Sequence, residues 1–268
     1  MMEYFSKFGL EYDPFLKNSK DKFVRTPEAR EVLCRLEYLQ NVKGFGLLTG
    51  EPGLGKTTCI RNWCGSLNPS LFKVVYSSLS TLTVQEFYMN LARSLGTEPA
   101  YRKTENFHRI QAEINRYALE KRITPVIVID EANYINSKVL NDLKMLFNFE
   151  MDSRDRAVVL LSGLQQLNNT LNLSVHEPLR QRIVMNYNME ALSKTDAREY
   201  LLAKLVSAGR TDSIYEDAAL EAVLNSAQGK PRLINKYSTC CMRIAAALNE
   251  QLISTDTAMK AISECELN

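Results

Sequence analysis

The sequence from residue 50 to residue 58 reads Gly50-Glu-Pro-Gly-Leu-Gly-Lys-Thr-Thr58 and matches the pattern G-x4-G-K-[ST]. It lies between the apolar run Gly46–Thr49 and an amphipathic segment, which predicts a loop that joins a buried strand to a helix. Its three glycines let backbone N–H groups turn inward around phosphate oxygens, at the positive end of that helix. The predicted phosphate-binding residues are Gly50, Glu51, Pro52, Gly53, Leu54, Gly55, Lys56, Thr57 and Thr58.

Two side chains of this loop suit nucleotide chemistry. Lys56 supplies a positive charge for the β- and γ-phosphates, and Thr57 offers a hydroxyl ligand for Mg²⁺. The context on both sides of the loop makes a chance match improbable, so we predict a nucleotide site here.

An acidic pair ends a second informative run, Pro125-Val-Ile-Val-Ile-Asp-Glu131. Four β-branched residues precede the acids, so Asp130 and Glu131 are expected at the carboxyl end of a buried strand, where ligands bind in open α/β sheets. Asp130 is predicted to hold Mg²⁺ with Thr57, usually through water. Glu131 is expected to polarise a water for attack on the γ-phosphate. The alternative is a strand that merely ends in an acidic loop.

Short apolar runs alternate with helix-patterned segments in the first two thirds of the chain. The runs are Gly46–Thr49, Lys73–Tyr76, Pro125–Asp130, Ala157–Ser162 and Ile183–Tyr187. Such continuous runs are typical of parallel strands covered by helices on both faces. Thr83 precedes Glu86 at capping-box spacing, which predicts a helix start. The predicted fold is α/β, with a five-stranded parallel sheet flanked by helices.

The strand pattern stops near residue 189. Amphipathic segments follow at roughly 194–208, 215–227, 231–249 and 255–265, with glycines where helices should end. We expect an N-terminal segment at 1–44 packed on the core, an α/β domain at 45–190 and a small all-helical lid domain at 191–268.

These motifs together resemble the AAA+ ATPases. The phrases Phe8-Gly-Leu, Leu47-Leu-Thr-Gly50, Asp130-Glu-Ala-Asn133 and Gly229-Lys-Pro-Arg-Leu-Ile-Asn235 are similar to a narrower group, which contains the GspA/ExeA secretion ATPases and the TnsC/MuB/IstB transposition regulators. The similarity covers nearly the whole chain. It implies a P-loop AAA+ fold with a helical lid, ATP and Mg²⁺ as cofactors, and hydrolysis of ATP to ADP and phosphate.

The resemblance also implies roles for single residues. Ser162, which ends the fourth predicted strand, occupies the sensor-1 position that orients the attacking water. Arg182 matches the arginine finger that completes a neighbouring subunit's site, with Arg180 as the alternative. Arg232 matches sensor 2, which couples the lid to the nucleotide. An ordinary surface ion pair is the alternative for each arginine. The implied catalytic residues are Lys56, Glu131, Ser162, Arg182 and Arg232, and a finger that acts between subunits requires a homo-oligomer, as a ring or a helical filament.

Composition and charge exclude several other classes. Hydrophobic residues make up 45% and charged residues 24% of the 268, which is ordinary globular composition. The formal net charge of +2 implies that any nucleic-acid surface is a local patch. The six cysteines and two histidines fit no zinc spacing. Without a signal-peptide layout or a run long enough to span a bilayer, the chain is expected to be cytoplasmic, without a membrane partner.

A basic stripe is the candidate DNA contact. Arg102, Arg109 and Arg116 recur every seven residues, with Lys103 beside them. On one helix face they would follow the phosphates of duplex DNA. Acidic residues three or four positions away would instead form ion pairs on a solvated face. Both interpretations stay open, and the Ser/Thr-rich loop Ser77–Thr83 is a further candidate.

The expected function is an ATP-dependent, DNA-binding regulator of transposition, which assembles on duplex DNA with ATP, engages a transposase and disassembles on hydrolysis. The alternatives are an accessory ATPase of a GspA/ExeA-type secretion system and a replication initiator or helicase loader. Since no membrane-spanning run or further domain follows the lid before Asn268, we expect the first.

Overall fold

The computed structural model describes residues 4–17, 23–78, 81–151 and 153–266. The described residues form two compact units. One, which we call the α/β unit, contains residues 31–51 and 56–189. The other, the helical unit, contains the described residues of 1–30, 52–55 and 190–268.

The described residues of the α/β unit contain a five-stranded sheet in the order β2-β3-β4-β1-β5, and each strand is parallel to its neighbours. The strands are β1 (Gly44–Gly50), β2 (Phe72–Ser77), β3 (Thr124–Ile129), β4 (Val158–Gly163) and β5 (Ile183–Met189). β1 and β4 are buried at every position, as expected for strands covered on both faces. The predicted parallel α/β fold is confirmed.

Helices precede the first strand and connect the others. They are α1 (Pro27–Val42), α2 (Lys56–Ser66), α3 (Val84–Leu95), α4 (Lys103–Asn115), α5 (Ser137–Leu146), α6 (Gln166–Leu171) and α7 (Glu177–Arg180). The predicted capping box is present at α3, where the Thr83 side chain accepts from the Glu86 N–H and the Glu86 side chain accepts from the Thr83 N–H. At α5 the cap is Asn136, whose side chain accepts from the Lys138 N–H.

Strand register determines which residues meet at the carboxyl edge of the sheet. Ile129 of β3 lies opposite Leu161 of β4, so Asp130 and Ser162 follow side by side. Ser77 of β2 lies opposite Ile129, and its carbonyl accepts from the Asp130 N–H at 2.9 Å. The candidate site is therefore assembled where parallel strands end together.

The helical unit contains α8 (Lys194–Ser207), α9 (Asp217–Ala227), α10 (Pro231–Ala247) and α11 (Thr255–Cys265). Gly229 precedes α10 with φ +68°, and a Cβ there would lie 2.1 Å from the Leu192 carbonyl oxygen. Only glycine fits this close approach of two backbones. In the part of the chain that the structure describes, no helix is both long and apolar enough to cross a membrane.

The N-terminal residues divide between the two units. We expected a segment at 1–44 packed on the core; its described residues up to Arg30 belong to the helical unit, and residues 31–44 belong to the α/β unit. The physical reason is hydrophobic: Phe8, Leu10 and Phe15 are buried in the core cluster of α8–α11. Asp13, itself buried, accepts hydrogen bonds from Tyr4 and Thr239, which adds a polar anchor.

Candidate active site

The phosphate loop has the backbone that its glycines predict. Gly53 and Gly55 have φ of +87° and +108°, a region that side chains with a Cβ rarely adopt. The Lys56 ammonium donates to the carbonyl oxygens of Gly50 at 2.8 Å and Glu51 at 2.9 Å. α2 begins at Lys56, and the N–H groups in the first turn of a helix have no partner within the helix, so they can add to this charge at a phosphate. The arrangement can bind an anionic phosphate chain.

The side-chain oxygens of Thr57 and Asp130 lie close enough together to bind one magnesium ion. The Thr57 hydroxyl donates to Asp130 Oδ2 at 2.9 Å, and Asp130 is buried. Neighbouring ligands of an octahedral Mg²⁺ at about 2.1 Å lie about 3.0 Å apart, so the two oxygens have a compatible spacing. The residues present therefore fit the ion: Thr57 would hold it directly, and Asp130 would hold it directly or through water.

Tyr76 is a contact of Asp130 that the sequence analysis missed. Its phenolic hydroxyl donates to the same oxygen, Asp130 Oδ2, at 2.8 Å. Partial burial and the hydrogen bond to Asp130 raise the pKa of Tyr76 to about 12. The available signal was positional, because Tyr76 ends the second predicted strand and parallel strands share their carboxyl edge.

Glu131, which follows Asp130, has a left-handed backbone conformation. It has φ 53° and ψ 35°, which is strained for a residue other than glycine, and its side chain is exposed. Its N–H donates to Asp130 Oδ1 at 3.0 Å. The turn thus buries one carboxylate and leaves the next open to solvent, as a general base needs.

Ser162 and Asn133 are buried donors beside the acidic pair. Among the described residues, the Ser162 hydroxyl and the Asn133 amide nitrogen are buried without a hydrogen-bond partner. Asn133 Oδ1 accepts from the Leu164 N–H at 3.0 Å, and a Cβ on Gly163 would lie 2.8 Å from that oxygen. Unpaired buried donors are costly, which marks this strand end as a place where a ligand would supply acceptors. Asn133 was quoted in the sequence motif but given no role.

Arg232 lies at the start of α10 in the helical unit. Its N–H donates to the Gly53 carbonyl oxygen at 3.2 Å, and its side chain is exposed. A Cβ on Gly53 would lie 3.1 Å from the Arg232 Cβ, a second reason for glycine at that loop position. The predicted sensor-2 residue is therefore next to the middle of the phosphate loop.

Arg182 is placed differently from what its expected role requires. Its guanidinium donates to the carbonyl oxygens of Lys144 at 2.8 Å and Phe147 at 3.2 Å, and its side chain is 14% exposed. The guanidinium is thus engaged within its own chain at the end of α5. Arg180, the alternative, is exposed, and its contacts to Asn172 are long, at 3.4 Å.

The basic stripe is largely engaged in ion pairs. Lys103 contacts Asp142 at 2.5 Å, Arg109 contacts Glu105 at 2.6 Å and Arg116 contacts Glu113 at 2.5 Å. α4 ends at Asn115, so Arg116 already lies in the next turn, and Arg102 precedes the helix. These contacts favour the solvated-face interpretation. Within the candidate loop Ser77–Thr83, Leu79 and Ser80 lie outside the described residues.

Comparison with known proteins agrees with this geometry. Residues 40–171 match the family model described as AAA domain. General secretion pathway protein A of Aeromonas hydrophila is 31% identical over 237 residues, 87% of this chain and 43% of that protein. The ATP-dependent target DNA activator B of Escherichia phage Mu is 25% identical over 128 residues, 47% of this chain and 38% of that protein. The chain thus spans less than half the length of either relative.

The fold is shared with solved structures. Cdc6p from Pyrobaculum aerophilum superposes with a TM-score of 0.73 over 94% of this chain and 70% of that chain, at 18% identity. Because the identity is this low, the likeness supports the architecture alone.

Proposed function

From an AAA+ ATPase domain related to those of General secretion pathway protein A and the Mu target DNA activator, we propose a regulator of DNA transposition that binds Mg-ATP and assembles on duplex DNA. Hydrolysis of ATP would weaken the assembly and release the DNA. Because the proposed assembly depends on ATP, we propose that the protein is located in the cytoplasm.

The convergence of Thr57 and Asp130 is the observation that carries the proposed chemistry. Lys56 would leave the loop carbonyls for the β- and γ-phosphates, and Mg²⁺ would neutralise the charge that develops on them. Glu131 would accept a proton from the attacking water, and Ser162 would orient that water. Arg232 would couple a change in the phosphate loop to α10 through its hydrogen bond to Gly53.

The proposed assembly is a homo-oligomer in which Arg180 serves as the finger. Arg180 is exposed on the short helix α7, and Leu173 and Val175, which precede that helix, are 56% and 55% exposed. Exposed apolar side chains around a charge are typical of a surface that meets another subunit. Arg180 would add a further positive charge to the site of a neighbouring subunit.

The proposed partners are duplex DNA and a transposase. Support comes from the Mu protein, whose name describes ATP-dependent activation of target DNA. A second candidate is an accessory role in secretion, which is favoured by the higher identity and coverage of General secretion pathway protein A. The two differ in whether the protein binds DNA.

The transposition proposal is tested by measuring whether the protein binds DNA only when ATP is present. The measurement is fluorescence anisotropy of a labelled random-sequence duplex, titrated with protein under ATP, ADP and no nucleotide, at two salt concentrations. We expect cooperative binding with ATP alone, weakening at high salt because phosphate contacts release counterions. Lys56→Ala should abolish it, since the variant loses the charge that binds the β- and γ-phosphates.

The matched control is Lys138→Ala, which removes an exposed lysine on α5 and should bind as the wild type does. Absence of binding under every condition would contradict the transposition proposal and favour the secretion candidate. Equal binding by Lys56→Ala would show that DNA binding does not depend on the lysine of the phosphate loop.

A further inference from the structure

Two hydroxyls from different elements converge on one oxygen of Asp130. Thr57 of α2 and Tyr76 of β2 donate to Oδ2 at 2.9 Å and 2.8 Å, while Oδ1 accepts from the Glu131 N–H. β2 is an edge strand, and its next residue, Ser77, binds the Asp130 backbone N–H. The end of β2 therefore holds both the backbone and the side chain of this residue.

The carboxylate needs such donors. Asp130 is 4% exposed, and a buried carboxylate is costly unless its oxygens are hydrogen-bonded. The terminal torsion of aspartate is broad, so hydrogen bonds determine which way the oxygens face. Thr57 belongs to the phosphate loop, and its oxygen is a proposed ligand of Mg²⁺. Tyr76 lies outside the loop and is not a proposed ligand, so its hydroxyl can donate to Asp130 while the ion is bound.

We propose that Tyr76 is a positioning residue, whose hydroxyl holds the Asp130 carboxylate in the orientation that receives Mg²⁺-ATP. The inference rests on the proposed binding of Mg-ATP. Tyr76 keeps Oδ2 turned toward Thr57 both before and after the metal arrives, so Mg²⁺ meets an ordered pair of oxygens. Preorganisation of this kind raises affinity because less freedom is lost on binding.

Tyr76→Phe isolates the hydroxyl. The side chain is 48% exposed, so the ring contributes little to the core, and phenylalanine retains the ring while removing only the donor. Tyr38→Phe is the matched control: Tyr38 lies on α1, is 52% exposed, and has no hydrogen bond from its hydroxyl within the described part of the chain.

The experiment is a titration with ATP that carries a fluorophore on the ribose, at a series of Mg²⁺ concentrations and in EDTA. We expect Tyr76→Phe to weaken Mg²⁺-dependent binding about five- to tenfold and to raise the Mg²⁺ concentration at half-saturation. Binding in EDTA should match the wild type. The unfolding temperature without nucleotide should fall by no more than about a few degrees, because Thr57 and the Glu131 N–H still donate to Asp130. Tyr38→Phe should leave both binding quantities unchanged.

The outcomes separate the two proposals. If Tyr76→Phe has the Mg²⁺ dependence of the wild type, or loses affinity equally in Mg²⁺ and EDTA, the positioning role is overturned. If the wild type binds the nucleotide analogue under no condition, the proposed function fails first. Tighter Mg²⁺ binding by Tyr76→Phe would also overturn the inference, because the hydroxyl would then be a competitor of the metal.

Discussion

At the scale of single residues, backbone conformation gives two adjacent carboxylates different environments. Asp130 continues the line of β3 and is buried among donors from Thr57, Tyr76 and the Glu131 N–H. Glu131 turns into the left-handed region and stays exposed. Strain of this kind persists where the surrounding structure over-determines it, and it concentrates at functional sites. One acid is suited to a fixed cation and the other to a mobile water.

Glu131→Gln should bind ATP and fail to hydrolyse it. The amide is nearly isosteric but cannot accept a proton, so we expect single-turnover phosphate release to fall by about a hundredfold or more. The variant should also accumulate as a persistent oligomer. Glu98→Gln, at another exposed glutamate of the α/β unit, is the control and should retain the wild-type rate. Rapid turnover by Glu131→Gln would remove Glu131 from the role of base.

At the scale of elements, the C-terminal end of α5 is capped by Arg182, which lies just before β5 in the chain. Arg182 donates to carbonyl oxygens at and just past the end of that helix, lies 3.5 Å from Asp155 and stacks over the Phe45 ring at 5.5 Å. Helix C-termini carry unsatisfied carbonyls and a partial negative charge, so a cation there stabilises the helix. We therefore expect Arg182 to stabilise the end of α5, whereas Arg180 is exposed.

Substitutions at the two arginines should have different effects. Arg182→Ala should lower the free energy of unfolding by about 1–3 kcal/mol, because buried carbonyls lose a charged donor. Arg180→Ala should change stability by less than about 0.5 kcal/mol and reduce ATPase activity of the assembled protein about a hundredfold or more. Urea denaturation and ATPase rates against protein concentration measure both effects. The reverse pattern would return the finger to Arg182.

At the scale of the whole molecule, the first residues of the chain complete a core formed by the last. The described residues near the N-terminus place Phe8, Leu10 and Phe15 among the buried side chains of α8–α11. Lys7 adds a hydrogen bond from its ammonium to the Ala246 carbonyl oxygen at 2.6 Å. Separate parts of the sequence thus form one unit because burial of apolar surface does not depend on chain order.

Phe8→Ala should destabilise the helical unit by about 3–5 kcal/mol, the cost of a large cavity in a core. Hydrogen exchange read by mass spectrometry should show lost protection in α8–α11 and unchanged protection in β1, β3 and β4. Leu16→Ala, at a side chain that is 48% exposed, is the control and should have little effect. Equal loss of protection in the sheet would contradict this division of the chain.

Local patterns in the sequence predicted most of the architecture. Hydrophobic periodicity and turn residues can be read from neighbouring positions of the sequence. They predicted the strands β1, β3 and β4, the capping box at Thr83 and the four C-terminal helices. The phosphate loop and the Asp130–Glu131 pair were predicted for the same reason, since their chemistry depends on a short spacing and a strand end.

Tertiary structure decided which side chains became partners. We expected a finger at Arg182, whose guanidinium donates to carbonyl oxygens more than thirty positions upstream in the chain. No motif indicated Tyr76, which meets Asp130 only because β2 and β3 are neighbours in the sheet. A sequence pattern reports how each segment folds locally. Which donor reaches which acceptor depends on strand order and helix packing, and these arise only when distant segments bury their apolar faces together.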